Sequence, residues 1–290
     1  MYKIVIPSAG LGSRVGTYTK SFNKALISIG DLPLIARIIL KFDEKIPIVI
    51  ILGYKGEILK EVCLSLFPNR EIEFITVDKF EGEGSGLGYT LNYAKHLLQC
   101  PFIFIANDTI IGNDKIDLDP NIHGNWIGFY KKIDGDSFNV QDFRTIDHQK
   151  EYLQKVNPKG ILSEYLYIGL CGIKDYEKFW ANMSNKNSIS VGEAFGLNSI
   201  DNVKLVEIKE WFDCGNLKSL RVAKEKYKSK YNILEKESEA IWFNEGKVTK
   251  FSTDRNFING RIERMKFLPK NYIPKLINNG KYTYTYKKVE

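Results

Sequence analysis

With 290 residues, the chain can hold one large α/β domain plus a small appendage, or two modest domains. Apolar residues make up 43% and charged residues 27%, ordinary for a globular protein, and no run approaches the ~20 apolar residues of a membrane span. The net charge of +7 comes from scattered lysines with no basic run interleaved with aromatics, which argues against nucleic acid and for small phosphate-bearing ligands.

In chain order, residues 2–6 form an apolar run too short for a secretory signal, so a cytoplasmic protein is expected. The run enters a Gly/Ser-rich loop, Pro7 to Gly16. Residues 32–42 have helical spacing, 48–52 form a β-branched run, and 56–66 again read as helix. A strand over 71–77, a helix over 88–98 and an apolar strand over 102–106 follow. This alternation predicts an α/β fold with a mostly parallel central sheet and helices on both faces. Further strands are expected at 126–130, 165–170 and 203–208, with helices at 175–184 and 217–230.

The character then changes, which divides the chain into a domain over 1–232 and a small α+β appendage over 233–290. A hairpin turning at Asn244-Glu-Gly246, a helix over 258–268 and a second hairpin at Asn278-Asn-Gly280 are expected there. Cys63, Cys100, Cys171 and Cys214 lie far apart without a CxxC pair, and so read as plain thiols. His96, His123 and His148 match no triad or metal spacing.

The first loop carries the most chemistry. Its glycines let backbone N–H groups approach phosphate oxygens, and Arg14 and Lys24 supply cationic donors for a triphosphate. Val15 stands where the dinucleotide fingerprint has its third glycine, and GxxxxGK[ST] is absent. The segments Ala9-Gly10-Leu-Gly12-Ser13-Arg14, Asn23-Lys24-Ala-Leu26 and Pro33-Leu-Ile35 resemble the signature of the sugar-1-phosphate nucleotidyltransferases, or NDP-sugar pyrophosphorylases. Asn23 stands where that family has proline. The resemblance covers roughly residues 1–228 and implies a Rossmann-like nucleotidyltransferase fold.

The resemblance also implies an activity: NMP transfer from an NTP to a sugar-1-phosphate, with release of pyrophosphate, for polysaccharide precursors. Transfer between two anionic phosphates calls for a divalent cation, and Mg²⁺ takes one or two carboxylates plus phosphates and waters. Asp108, in Ala106-Asn-Asp108, and Asp213, in Trp211-Phe-Asp-Cys-Gly-Asn216, match the family's metal carboxylates. By the same resemblance, Ala9, Gly10, Gly12, Ser13, Glu81, Gly86 and Gly88 contact the nucleotide, while Lys155 and Glu193 contact the acceptor.

Two other functions fit the same residues: a cytidylyltransferase acting on a phosphorylated alcohol such as phosphocholine, and a nucleotide-binding module without turnover. The appendage resembles the start of a choline or aminoglycoside kinase-like small lobe, with Lys250 and Glu263 as its lysine–glutamate pair. Alternatively, the appendage is an oligomerisation or lid element, with Tyr282, Tyr284 and Tyr286, expected to be exposed at period two, as the face for homo-oligomer contact or closure.

Overall fold

Alternation of apolar side chains in the first strand sets the architecture. In the computed structural model, which describes residues 1–112, 116–136, 138–231 and 233–289, Lys3–Ser8 sends Ile4 and Ile6 into one apolar cluster and Val5 into another. Ile48–Leu52 and Phe102–Ile105 divide their side chains in the same way, so the sheet is buried on both faces. Leu34–Ile39, Gly56–Leu66 and Leu217–Lys226 cover one face with Leu34, Leu59 and Leu220. Leu87–Tyr93, Tyr176–Met183 and Glu193–Leu197 cover the other with Leu91, Phe179 and Leu197.

The sheet has nine strands in the order Ile72–Thr76, Ile48–Leu52, Lys3–Ser8, Phe102–Ile105, Tyr165–Ile173, Trp126–Lys131, Lys204–Glu207, Tyr152–Val156, Arg144–Gln149. The first four run parallel. Tyr165–Ile173 is antiparallel to both neighbours, and the sheet is therefore mixed rather than mostly parallel. The reason lies in the connections. A parallel crossover needs a helix-length link, but among the described residues 132–164 there is one 3₁₀ turn, Val140–Asp142, and the hairpin pair Arg144–Gln149 and Tyr152–Val156. Outside the sheet, Thr109–Ile111 pairs antiparallel with Trp211–Asp213, opposing Asp213 to Thr109.

The C-terminal segment forms a four-stranded antiparallel sheet ordered Glu239–Asn244, Lys247–Ser252, Thr283–Lys287, Leu276–Asn279. Its first hairpin turns through Glu245 and Gly246, both at positive φ (45° and 72°), the two-residue geometry that matches strand twist. Helix Arg255–Phe267 is capped by Asp254, whose side chain accepts from Asn256 N and Phe257 N. This sheet shares the body's apolar core, because Trp242 and Phe251 belong to the same cluster as Ile4. Tyr284 is buried and Tyr282 and Tyr286 are half-buried, so the three tyrosines are not the exposed face expected of them. Lys250 and Glu263 do not meet either: Glu263 accepts from Lys266 at 2.6 Å, while Lys250 stands 5.9 Å from the centroid of the Tyr286 ring. Among the described residues, no helix is long and apolar enough to cross a membrane.

Candidate active site

The parallel strands end along one edge, where ligands collect in α/β sheets. Ala9, Gly10, Gly12, Ser13 and Arg14 leave the first strand there and line a cavity of about 340 Å³ with Lys24, Phe80, Ser85, Gly86, Leu87, Thr90 and Asn107. Gly12 sits at φ 68°, and a β-carbon on it would come within 3.0 Å of the Lys24 and Thr19 side chains. Glycine thus lets the loop fold flat against the lysine. A β-carbon on Gly10 would meet nothing within 4 Å, which leaves the loop's outer face open to a ligand.

Asn23, where the resembled signature has proline, sits at φ −65°, the angle a proline ring would impose. Its amide replaces the ring's rigidity with bonds, donating to the Ser8 and Tyr54 carbonyls at 2.8 Å each and accepting from Ala25 N at 2.9 Å. The next residue, Lys24, is 6% exposed, and its ammonium reaches Asp108 Oδ2 at 2.7 Å.

Asp108 and Asp213 come together although 105 positions separate them. The short antiparallel pair joins their segments, and Cys214 N donates to the Asp108 carbonyl at 2.7 Å. A β-carbon on Gly215 would lie 2.9 Å from Asp213 Oδ1 and 3.2 Å from Asp108 Oδ2, so both carboxylates face one point. Gly215 N donates to Asp213 Oδ1 (3.0 Å), and Asn216, which caps helix Leu217–Lys226, donates to Oδ2 (3.3 Å).

Burial acts to raise the pKa of Asp108, but the Lys24 ammonium outweighs it and holds the carboxyl below its ordinary range. Burial and the charge of Asp108 push the Asp213 carboxyl upward. Two carboxylates, one cationic partner and no third histidine, cysteine or carboxylate ligand among the described residues suit a cation that keeps waters and substrate phosphates.

Both aspartates also line a second cavity of about 150 Å³, with Arg14, Asp142, Arg144, Lys159, Tyr167, Glu193, Trp211 and Asn216 among its walls. Arg14 thus borders both cavities, and the carboxylates lie on its side of the second. Glu193 is 4% exposed and its Oε2 has no hydrogen-bond partner; Trp211 Nε1, also buried, is equally unpartnered. Burial lifts the Glu193 carboxyl to about 7, although Arg144 acts against the rise. Arg144 itself donates to the Val191 carbonyl at 2.9 Å.

Three residues expected at the site lie elsewhere. Lys155 is exposed on its strand, in register with Asp147, because the pleat turns its neighbour Val156 inward. Lys159, beyond Pro158, lines the second cavity in its place, and burial followed by the nearby Arg14 lowers its pKa. Glu81 is exposed outside the glycine-loop cavity, which the same loop reaches through Phe80 and Ser85. Gly88 is buried in packing, since a β-carbon there would stand 1.9 Å from the Ser188 carbonyl oxygen. Gly88→Ala is expected to push helix Leu87–Tyr93 off Ser188–Val191 and to lower the melting temperature by several degrees, read by circular dichroism.

No family model matches the chain. It is similar to the bifunctional protein GlmU of Methanococcus aeolicus, 27% identical over 169 residues, which is 57% of this chain and 38% of that protein. The chain therefore spans well under half the length of the curated relatives it matches. Among solved structures, a CTP:phosphocholine cytidylyltransferase of Streptococcus pneumoniae superposes with a TM-score of 0.62 at 19% identity, covering 78% of this chain and 99% of that one. A UDP-glucose pyrophosphorylase of Acinetobacter baumanii gives 0.61 at 19%, covering 78% and 93%. The chain thus has the α/β fold, mixed sheet and flanking helices of these nucleotidyltransferases.

Proposed function

We propose that the chain is a nucleotidyltransferase that moves an NMP group from an NTP to a sugar-1-phosphate and releases pyrophosphate. The convergence of Asp108 and Asp213 beside Arg14, where a glycine-loop cavity and a second polar cavity adjoin, carries this reading. The loop cavity takes the NTP. The acceptor lies among Lys159, Arg144 and Glu193, its phosphate toward the aspartates. An acceptor phosphate oxygen attacks the α-phosphorus in line; that P–O bond forms as the bond to the bridging oxygen breaks and pyrophosphate leaves with the electron pair. Arg14 and Lys24 neutralise the phosphates, Lys159 orients the attacking group, and no covalent enzyme intermediate is required. Asp108 and Asp213 would hold Mg²⁺, which when bound supplies positive charge between the reacting phosphates.

The unpartnered Glu193 Oε2 and Trp211 Nε1 favour a hydroxylated acceptor, since a sugar hydroxyl can serve both an acceptor and a donor. A second reading is transfer to a phosphorylated cationic alcohol. Beside Asp213, a cavity of about 240 Å³ is lined by the aromatic rings of Tyr130, Phe138, Trp211 and Phe212, by Asp136 and Glu210, and by Lys209 and Lys218; the rings and carboxylates are the groups an ammonium would contact there. Pyrophosphate release from four NTPs against sugar-1-phosphates and phosphocholine separates the two. Turnover with phosphocholine alone would transfer the assignment to the second reading, and absence of turnover with any pair would remove both.

Glu193→Gln gives a further check. The folded-state carboxyl, raised from 4.5 to about 7, binds its proton more tightly than the unfolded chain does. Its cost to stability therefore grows as pH rises from 4.5 and is fully present above 7. The variant should melt about 2 °C or more above the parent at pH 8, and equally with it near pH 4, while its KM for the acceptor rises. Unchanged melting at pH 8 would contradict the buried-acid assignment.

A further inference from the structure

The loop that carries Arg14 and Lys24 is gripped from two sides. On the body side, the Tyr54 hydroxyl donates to the Thr19 carbonyl at 2.9 Å, and Asn23 is fixed as described above. The other grip comes from the C-terminal segment. Phe22 meets Phe251 edge-on at 5.6 Å between centroids, and Phe251 is stacked on the fully buried Trp242 at 5.5 Å. Trp242 Nε1 donates to Ser28 Oγ (2.9 Å), and Phe243 N donates to the Asp31 carbonyl (2.8 Å). Just ahead of this sheet, Glu235 accepts from the Tyr18 hydroxyl at 3.2 Å and from Lys224, whose ammonium stands 4.3 Å from the Tyr18 ring centroid.

These grips matter because the loop has little regular structure of its own. Ser13–Thr19 is 3₁₀, interrupted at Gly16 (φ 64°, ψ −128°), and Ser13, Arg14, Gly16 and Thr17 are exposed. Such a segment leaves Arg14 many orientations unless its outer limb is fixed. The limb is fixed at Phe22 by Phe251, and at Tyr18 by Glu235 together with Lys224 of helix Leu217–Lys226, which Glu235 also holds.

We propose that the C-terminal segment completes the NTP site, with Phe251 and Glu235 acting as positioning residues for the loop from Ser13 to Phe22. The proposal rests on assigning the loop cavity to an NTP. A second contact between segment and body supplies the control. Glu61, on helix Gly56–Leu66, accepts from Tyr282 N at 2.6 Å, and Ser65 bonds Asn278 and Thr285 at 3.2 and 3.1 Å. Neither residue lines either cavity.

The test uses the full chain with Phe251→Leu, Tyr18→Phe and Glu235→Gln on the loop side, and Glu61→Gln and Ser65→Ala on the remote side. Steady-state pyrophosphate release and calorimetric NTP titration are read beside melting temperature. The loop-side variants should raise the NTP KM and Kd by ~10-fold or more, with the acceptor KM within about twofold of the parent. The remote variants should lower the melting temperature without moving the NTP constants. If Phe251→Leu fails to fold, Tyr18→Phe still decides, since it removes only a hydroxyl. Parental NTP constants in the loop-side variants, or an equal rise in the remote ones, would overturn the proposal while leaving the nucleotidyltransferase reading intact. A parent chain that neither binds nor turns over any NTP would remove that reading and this proposal together.

Discussion

Asp108→Asn and Asp213→Asn are each expected to cut pyrophosphate release at least ~100-fold, the scale of losing one preorganised charge at a developing transition state. Both carboxylates face one point beside Gly215 and line the second cavity, so either substitution halves the negative charge available to a divalent cation. The stability effects should have opposite signs. Lys24 is almost fully buried against Asp108, and removing that carboxylate strands an ammonium in the interior, so Asp108→Asn should melt lower. Asp213 is driven toward its neutral form by burial and by Asp108, so a neutral amide there relieves repulsion, and Asp213→Asn should melt at or above the parent at pH 8. On the proposed metal assignment, Mg²⁺ affinity of the parent, read by titration calorimetry, should fall as pH falls and Asp213 takes up a proton. Near-normal turnover by either folded variant would end the assignment, as would melting shifts of the same sign and size.

The buried parallel strands were legible because both of their faces are covered and every position is apolar. Ile48–Leu52 and Phe102–Ile105 match the expected spans to within a residue. The hairpin pairing Arg144–Gln149 with Tyr152–Val156 was not, because Arg144, Asp147, His148, Gln149 and Gln154 leave it without an apolar face in the sequence. Thr109–Ile111 and Trp211–Asp213 are too short for periodicity, yet they bring the two aspartates together. At the site, the glycine loop and aspartates could be read because their chemistry lies in compact motifs. Lys159 and Arg144 stand in no motif, and only the tertiary fold turns them into the second cavity beside the aspartates. For Lys155, the resemblance pointed to the right stretch of chain, but the pleat turns that lysine to solvent, and Lys159, three residues past the strand's end, lines the cavity instead. The appendage's hairpins were marked by their glycine turns, whereas its attachment was not, since no local signal tells that Trp242 packs into another element's core.

That attachment leads to the second large expectation: a chain ending at Tyr231 should fail to fold cooperatively. Trp242 is fully buried and Phe251 is 2% exposed, and both sit in the cluster that includes Ile4, Leu26 and Phe22. Truncating one buried Trp or Phe to alanine costs about 3–5 kcal/mol, whereas a whole domain is stable by only about 5–15 kcal/mol. Losing both rings, the Glu61 acceptor bonds and the cover over Phe22 together is comparable to the entire margin. The compared nucleotidyltransferases bear on this directly. They are matched over 93–99% of their own lengths while 78% of this chain is matched, so the fold itself closes without an added segment. What differs here is the surface left behind, where Phe22 would be laid bare beside the phosphate loop. If that surface is the cause, adding Phe22→Ser to the shortened chain should recover soluble protein. Size-exclusion chromatography and thermal melts of the two shortened chains read this out. A shortened chain with the parental Phe22 that elutes as a monomer and melts near the full-length temperature would show that the body closes its own core.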